Sequence, residues 1–395
     1  MRRHLLLSII LMVMTLAACA SPTPQPTPTL LPPTTAPPTT VPTATPRRPP
    51  TAAPTPTAEP TPAPPSAALP LSLPGPYAVG WRNFFFKDAA RNNKVVAIAL
   101  YYPVPATEGA ADGKAIQNAA PDVTGAPYPV VLGAGKESTY FGIHLASYGI
   151  VFAGLEPQDN TPEFGPWLLD YPRDVIFALN QMAAGKLDGF AGILDPEHAG
   201  VLGYSFDSYA TLQMSGARMD PAYCQAQCAA AAMDQAALPK GWIEAWGMCA
   251  LLDQWDEFAA LAGESVTRSD DGLWQPLADP RVRAVMPMGN DALILFGERG
   301  LAAIDRPTLV LESSEDEGYP YASEMFRYMP KEHAALITNV GKDHMILLDP
   351  GGLGRMRHFI VSFFGYHLLG RKEYAPYFSR EFVEQQEGLA WGVVE

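Results

Sequence analysis

The strongest constraint on the fold is a pattern running from residue 129 to residue 340. Six short apolar runs, at 129–132, 150–155, 199–204, 282–288, 307–311 and 335–340, alternate with longer helix-length stretches. A strand that is apolar at successive positions is covered on both faces. Strands separated by helix-length segments pair in parallel through crossovers. The pattern therefore reads as α/β, with a mostly parallel central sheet flanked by helices. Residues 77–86 and 94–102 are β-rich and are separated by the turn-like Asp88-Ala89-Ala90-Arg91-Asn92-Asn93, which predicts an antiparallel hairpin ahead of the parallel strands. Residues 167–184 carry Val175, Ala178, Leu179 and Met182 at helical spacing, and residues 354–369 are apolar enough to form a last helix packed on the sheet.

One of these strands ends in chemistry. In Gly200-Val201-Leu202-Gly203-Tyr204-Ser205-Phe206 a serine stands just past an apolar run, with a helix starting behind it. That is the setting of a nucleophile elbow, a sharp strand-to-helix turn that lifts the hydroxyl above the sheet. The helix N-terminus adds backbone N–H groups and a positive dipole end for a developing oxyanion. A serine nucleophile needs a base, and the base needs an orienting carboxylate. The run at 307–311 leads into Glu312-Ser313-Ser314-Glu315-Asp316-Glu317, and the run at 335–340 leads into Gly341-Lys342-Asp343-His344. His344 is the histidine in a suitable loop. His144 and His198 precede Ser205, His358 and His367 fall in the last helix, and His333 precedes its strand.

From about residue 75 to residue 369 the chain resembles the α/β-hydrolase superfamily, closest to its dienelactone-hydrolase-like and platelet-activating-factor-acetylhydrolase-like esterases and lipases. The residues carrying the resemblance are Gly75-Pro76-Tyr77-Ala78-Val79-Gly80, Tyr101-Tyr102-Pro103, Tyr128-Pro129-Val130-Val131, Leu194-Asp195-Pro196, Gly203-Tyr204-Ser205, Asp279-Pro280-Arg281-Val282 and Asp343-His344. The resemblance implies an α/β-hydrolase fold with Ser205 as nucleophile, His344 as base and Asp316 as acid, Asp291 being the alternative acid one strand earlier. It implies an oxyanion hole from the N–H of Phe206 and one from Gly135 or Lys136. Two departures stand out. The family's glycine two residues after the nucleophile is Asp207, followed by Ser208. The His-Gly pair expected after the first parallel strand is replaced by Leu132-Gly133-Ala134-Gly135-Lys136-Glu137. A carboxylate at Asp207 would suit the helix dipole, by ~0.3–1 kcal/mol, yet oppose an oxyanion.

Residues 217–277 interrupt the alternation between the nucleophile helix and the next strand. They are Ala-rich, include Trp242, Trp246, Met248, Trp255 and Phe258, and read as a helical insertion. Its place suits a lid over the site equally with a peripheral packing element. Cys224, Cys228 and Cys249 lie in or beside it. A bridge from Cys224 or Cys228 to Cys249 is expected in an oxidising exterior, whereas Cys224-x-x-x-Cys228 without a histidine pair does not match a zinc site.

The N-terminus sets the compartment. Arg2 and Arg3, an apolar run over residues 5–14 and then Leu16-Ala17-Ala18-Cys19 have the order of a signal peptide, and the run is shorter than the roughly 20 residues a membrane span needs. The tetrapeptide resembles the lipobox of bacterial lipoproteins, which implies a leader over residues 1–18, lipidation at Cys19 and a domain on the extracytoplasmic side of the membrane. Residues 19–75 are nearly all Pro, Thr, Ala and Ser and are expected to stay extended and solvated. Residues 76–395 then form the folded domain. Of 27 basic and 41 acidic residues only Arg2, Arg3, Arg47, Arg48 and Glu59 precede residue 76, leaving the rest a formal charge of −17. Such a surface repels phosphate backbones, so nucleic acid is not an expected partner.

These features predict a serine-dependent carboxylic ester hydrolase with no cofactor and no metal, acting on a small-molecule, lipid or polymer ester. A binding or scaffold lipoprotein that kept the fold and lost the reaction is the alternative, motivated by Asp207 and by the altered oxyanion segment at Gly133-Ala134-Gly135-Lys136-Glu137. A metal-dependent hydrolase built on Glu312, Glu315, Asp316 and Glu317 lacks the paired histidines it would need.

Overall fold

The computed structural model describes residues 69–105, 114–156, 164–233, 249–290 and 292–394. The leader, Cys19, the greater part of the Pro/Thr tract, Asp291, Trp242, Trp246 and Met248 lie outside these residues.

Ten strands form one sheet. In chain order they are β1 Ala78–Asp88, β2 Lys94–Val104, β3 Ala115–Gln117, β4 Tyr128–Ala134, β5 Val151–Glu156, β6 Leu194–Tyr204, β7 Val282–Met288, β8 Thr308–Ser313, β9 Ala334–Asn339 and β10 Leu389–Trp391. Their order across the sheet is β10-β9-β8-β7-β6-β4-β5-β2-β1-β3. The six strands β4 to β9 pair in parallel, while β2 is antiparallel to both β1 and β5. The class read from the apolar runs, an α/β protein with a mostly parallel sheet flanked by helices, is the class observed.

Alternate side chains of the central strands enter different cores, as the two-residue period of a strand requires. Val130, Leu132, Val201, Val285, Val310 and Leu336 face one layer, and Val131, Leu202, Ala284, Met286, Leu309 and Ile337 face the other. The first layer is covered by α2 Phe164–Ala183, α3 Phe206–Met214, α7 Leu293–Leu301 and α8 Tyr319–Tyr328. The second is covered by α1 Ile143–Ser147 and the long α9 Pro350–Leu369. Helix α2 buries Leu168, Tyr171, Val175, Leu179 and Met182, one stripe at the spacing of an α-helix. Helix α9 starts where the Asp349 carboxylate accepts the N–H groups of Gly351 and Gly352, with Pro350 at the first helical position.

The insertion is helical where it is described: α4 Pro221–Met233, α5 Trp255–Ala262 and α6 Glu264–Thr267. It is tied by a disulfide between Cys228 and Cys249. Cys224 is left as a buried thiol whose pKa burial pushes up to about 12. Phe258 and Trp274 are buried and stack at 5.2 Å, with Trp255 against both. These rings complete a core with α2 and α7, so among the described residues the insertion's aromatics serve packing.

The linker ends earlier than its composition implies. Residues 69–75 dock on the domain: Leu71 is buried, its N–H donates to His358 Nδ1 at 3.3 Å, and its carbonyl lies 2.8 Å from His144 Nε2. Leu69, Leu71 and Leu73 are the first closely spaced large apolar side chains after the tract, and Leu71 has a pocket to fill. Burial lowers the pKa of both histidines to about 4, which fits their use as neutral structural clips.

Candidate active site

The sheet order places a crevice before any side chain is considered. From β4 the chain crosses one face through α1 to reach β5, and from β5 it crosses the opposite face through α2 to reach β6 on the far side of β4. The loops that follow β4 and β6 therefore diverge, and such a switch point opens a crevice at the carboxyl ends of the strands. Ser205 follows β6 there, and Gly135-Lys136-Glu137 follows β4.

Ser205 has φ 58° and ψ −126°, a conformation that L-residues avoid. Strain of this kind costs about 1–3 kcal/mol and gathers at functional sites. Gly203 makes the turn possible, because a Cβ there would lie 2.6 Å from the Asp207 carbonyl oxygen. The Ser205 N–H donates to Met288 O at 2.9 Å, which anchors the turn on β7. Ser205→Gly should remove the strain, and Ser205→Ala should not. We expect the glycine variant to be roughly 1 kcal/mol more stable than the alanine variant in chemical denaturation. Equal stabilities would mean that the turn carries no strain.

Three side chains converge on one line. His344 Nε2 lies 2.8 Å from Ser205 Oγ, and His344 Nδ1 lies 2.6 Å from Asp316 Oδ2. Asp316 and His344 are separated by 28 positions but sit in neighbouring loops, after β8 and β9, which are laced together. The Glu315 N–H donates to Lys342 O at 2.8 Å and the Gly341 N–H to Ser314 Oγ at 2.8 Å. Asp316 is nearly buried, and its other oxygen accepts the Gly318 N–H at 2.9 Å. The Tyr204 hydroxyl donates to the carbonyl of His344. His344 is thus held from the side chain and from the backbone. With Nδ1 directed at Asp316, Nε2 is left to accept the serine proton.

The three residues expected as a triad are together, while the alternative acid, Asp291, lies outside the described residues. Phe206 opens α3, where the first N–H groups have no acceptor inside the helix. Of the two residues expected to supply the second oxyanion donor, Gly135 is corrected: its N–H donates to Leu155 O at 2.8 Å and belongs to the β5 ladder. Lys136 lines the cleft beside Ser205.

The two departures from the family pattern meet in space. Asp207 does not block the turn, because its buried carboxylate points to Lys136, whose Nζ is 2.6 Å from Oδ2. Beside them Glu137 is buried, and its Oε1 accepts the Tyr204 N–H at 3.1 Å. Burial holds the Glu137 carboxyl well above its ordinary value of 4.5, and the charge of Asp207 adds to this more than Lys136 opposes it. Burial therefore favours the neutral form of Glu137. The unfolded chain releases this proton near 4.5 while the folded protein keeps it, so stability is full below 4.5 and declines as pH rises toward the raised folded value. Glu137→Gln keeps the acceptor for Tyr204 without an ionisable proton. Its stability should match wild type near pH 4 and exceed it at pH 8, by roughly 1–3 kcal/mol in urea denaturation. The same gap at both pH values would count against a neutral buried Glu137.

A cleft of about 250 Å³ opens beside Ser205, lined by Lys136, Glu137, Tyr140, Tyr204, His344, Met345, Leu347 and Leu348. Its walls are largely apolar, with Met345 and Leu348 exposed at the surface. None of these residues comes from the insertion. Sequence reasoning gave no site role to Glu137, Tyr140, Tyr204 or the apolar run after His344. The last was findable, since residues that directly follow a candidate histidine in a short loop lie near its ring. Among the described residues no group of three or more His, Cys, Asp or Glu is placed to hold a metal ion. No protein-family model matches the chain, and comparison with curated proteins returns no match.

Proposed function

We propose that this chain is a serine-dependent carboxylic ester hydrolase of the α/β-hydrolase superfamily. The observation carrying that reading is the continuous chain from Ser205 Oγ through the His344 ring to Asp316, mounted on a strained turn at the sheet's switch point. Ser205 Oγ attacks the acyl carbon, and its proton passes to His344 Nε2. Asp316 keeps the ring in the required tautomer and stabilises the imidazolium. The N–H groups of Phe206 and Lys136 receive the oxyanion, each such donor contributing about 3–4 kcal/mol to the transition state. His344 then protonates the departing alkoxide, and water releases the acyl group from Ser205 by the same route in reverse. These steps draw only on side chains, backbone N–H groups and water. The apolar cleft favours an ester with an uncharged acyl group of modest size.

The lipobox-like Leu16-Ala17-Ala18-Cys19 and the Pro/Thr tract support an activity outside the cytoplasmic membrane, on a lipid-anchored domain. The Cys228–Cys249 bridge is in keeping with an oxidising compartment. The alternative of a scaffold that lost the reaction draws on Asp207 and on the altered oxyanion segment after β4; the Lys136 contact weighs against the first of these grounds by pairing that charge. Labelling with a fluorophosphonate and assay on short-chain p-nitrophenyl esters test the proposal together. Stoichiometric labelling at Ser205 and turnover that vanishes in Ser205→Ala are expected. A wild type that neither labels nor turns over any ester would sink it.

A further inference from the structure

The β4–β6 ladder stops at the pair Leu132–Val201, short of both loops that build the site. The Gly135 N–H fastens the β4 loop to β5, on the side away from the nucleophile. Toward the nucleophile, two side-chain contacts span the gap. Glu137 accepts the N–H of Tyr204, immediately before Ser205, and Lys136 pairs with Asp207, two residues after it. Adjacent residues of one loop thus hold the turn on both sides of the nucleophile.

We propose that Lys136, Glu137 and Asp207 form a positioning clamp that sets the distance between the Lys136 peptide and Ser205, and that the Lys136 ammonium cancels the Asp207 charge near the oxyanion. The inference rests on the hydrolase reading and deepens it: it explains how the site accommodates a carboxylate where a glycine is expected and how it does without the His-Gly pair. The geometry is specific. The Asp207 carboxylate is almost wholly buried, whereas the Lys136 side chain is about half exposed, 3% against 49%. The lysine therefore reaches inward to a carboxylate that has little access to water. The Lys136 ammonium offsets the Asp207 charge at 2.6 Å and burial favours the neutral form of Glu137, so the repulsion an incoming oxyanion meets is reduced. Without Lys136 the same carboxylate would stand uncompensated in the first turn of α3. The contribution is then made as charge develops in the transition state, and it belongs in kcat rather than in substrate affinity.

The experiment is a charge cycle on the full chain, with active sites counted by fluorophosphonate titration so that misfolded protein is excluded. Lys136→Met should lower kcat per active site by about 10–100-fold with KM changed less than about threefold. Lys136→Arg should retain the larger part of kcat. The double variant Lys136→Met/Asp207→Asn should recover at least about fivefold over Lys136→Met, because it removes the stranded charge along with its partner. A merely structural role predicts the reverse, the double variant being no better than either single. If Lys136→Met yields no active sites, Lys136→Gln takes its place in the cycle with the same expectations. Wild-type turnover with Lys136→Met, or its Gln substitute, within twofold in kcat, or a double variant without recovery, overturns the clamp and leaves the hydrolase reading standing. A wild type that neither labels nor turns over esters overturns both.

Discussion

Ser205→Ala and His344→Ala are each expected to lower kcat for a short-chain ester by about 10⁴–10⁶-fold, and the double variant is expected to fall little further. The non-additivity follows from the geometry. Ser205 Oγ is nucleophilic only while its proton has somewhere to go, and His344 Nε2 at 2.8 Å is the acceptor in place. Removing the acceptor leaves a hydroxyl of ordinary reactivity, and removing the hydroxyl leaves a base with nothing to activate. What survives in all three variants is stabilisation by oxyanion donors and by the apolar cleft. The check is single-turnover kinetics on the two singles and the double, with thermal unfolding measured on each. A double variant whose loss is the product of the two single losses would show that Ser205 and His344 do not act as one unit.

Asp316→Asn should cost about 10⁴-fold in kcat while changing stability little. The near-isosteric amide can keep its carbonyl oxygen on the Gly318 N–H, which Asp316 Oδ1 now accepts at 2.9 Å. Its NH₂ would then face His344 Nδ1 and donate to it. That forces the proton to Nε2 and takes away the acceptor Ser205 needs. Asp316→Ala would remove the oxygen as well, so the amide is the cleaner probe of tautomer control. Fluorophosphonate labelling of Ser205 should slow in parallel with turnover, since both require the activated hydroxyl. A loss under tenfold would shift the acid's role elsewhere, with Asp291 after β7 the residue to replace next.

How much of this was legible beforehand differs from one element to another. The six parallel strands were, because a strand buried on both faces must be apolar at successive positions, and the alternation of Val130, Val131 and Leu132 between two cores is the direct result. The short edge strands β3 and β10 were not. Three residues carry no periodicity, and what holds them is pairing with β1 and β9. Leu71 sat in a segment whose composition reads as linker, and only a pocket elsewhere in the chain could show it to be core.

The candidate site divides along the same line. That Ser205, Asp316 and His344 stand together could be expected from sequence, because each proposed role depends on a local setting: the loop after a strand, in a given chain order. Gly135 was chosen on the same grounds and lost its place, since a backbone N–H goes to whichever acceptor lies opposite, and Leu155 on β5 is that acceptor. The pairing of Lys136 with Asp207 joins residues far apart in the chain, on loops of adjacent strands that are not consecutive in sequence. Local order along the chain determined which residue types stand at strand ends, because periodicity and turn chemistry are properties of near neighbours. Which N–H, carboxylate and ammonium groups meet was decided only by the tertiary structure, because burial and hydrogen-bond partners are set by strands that fold in from elsewhere.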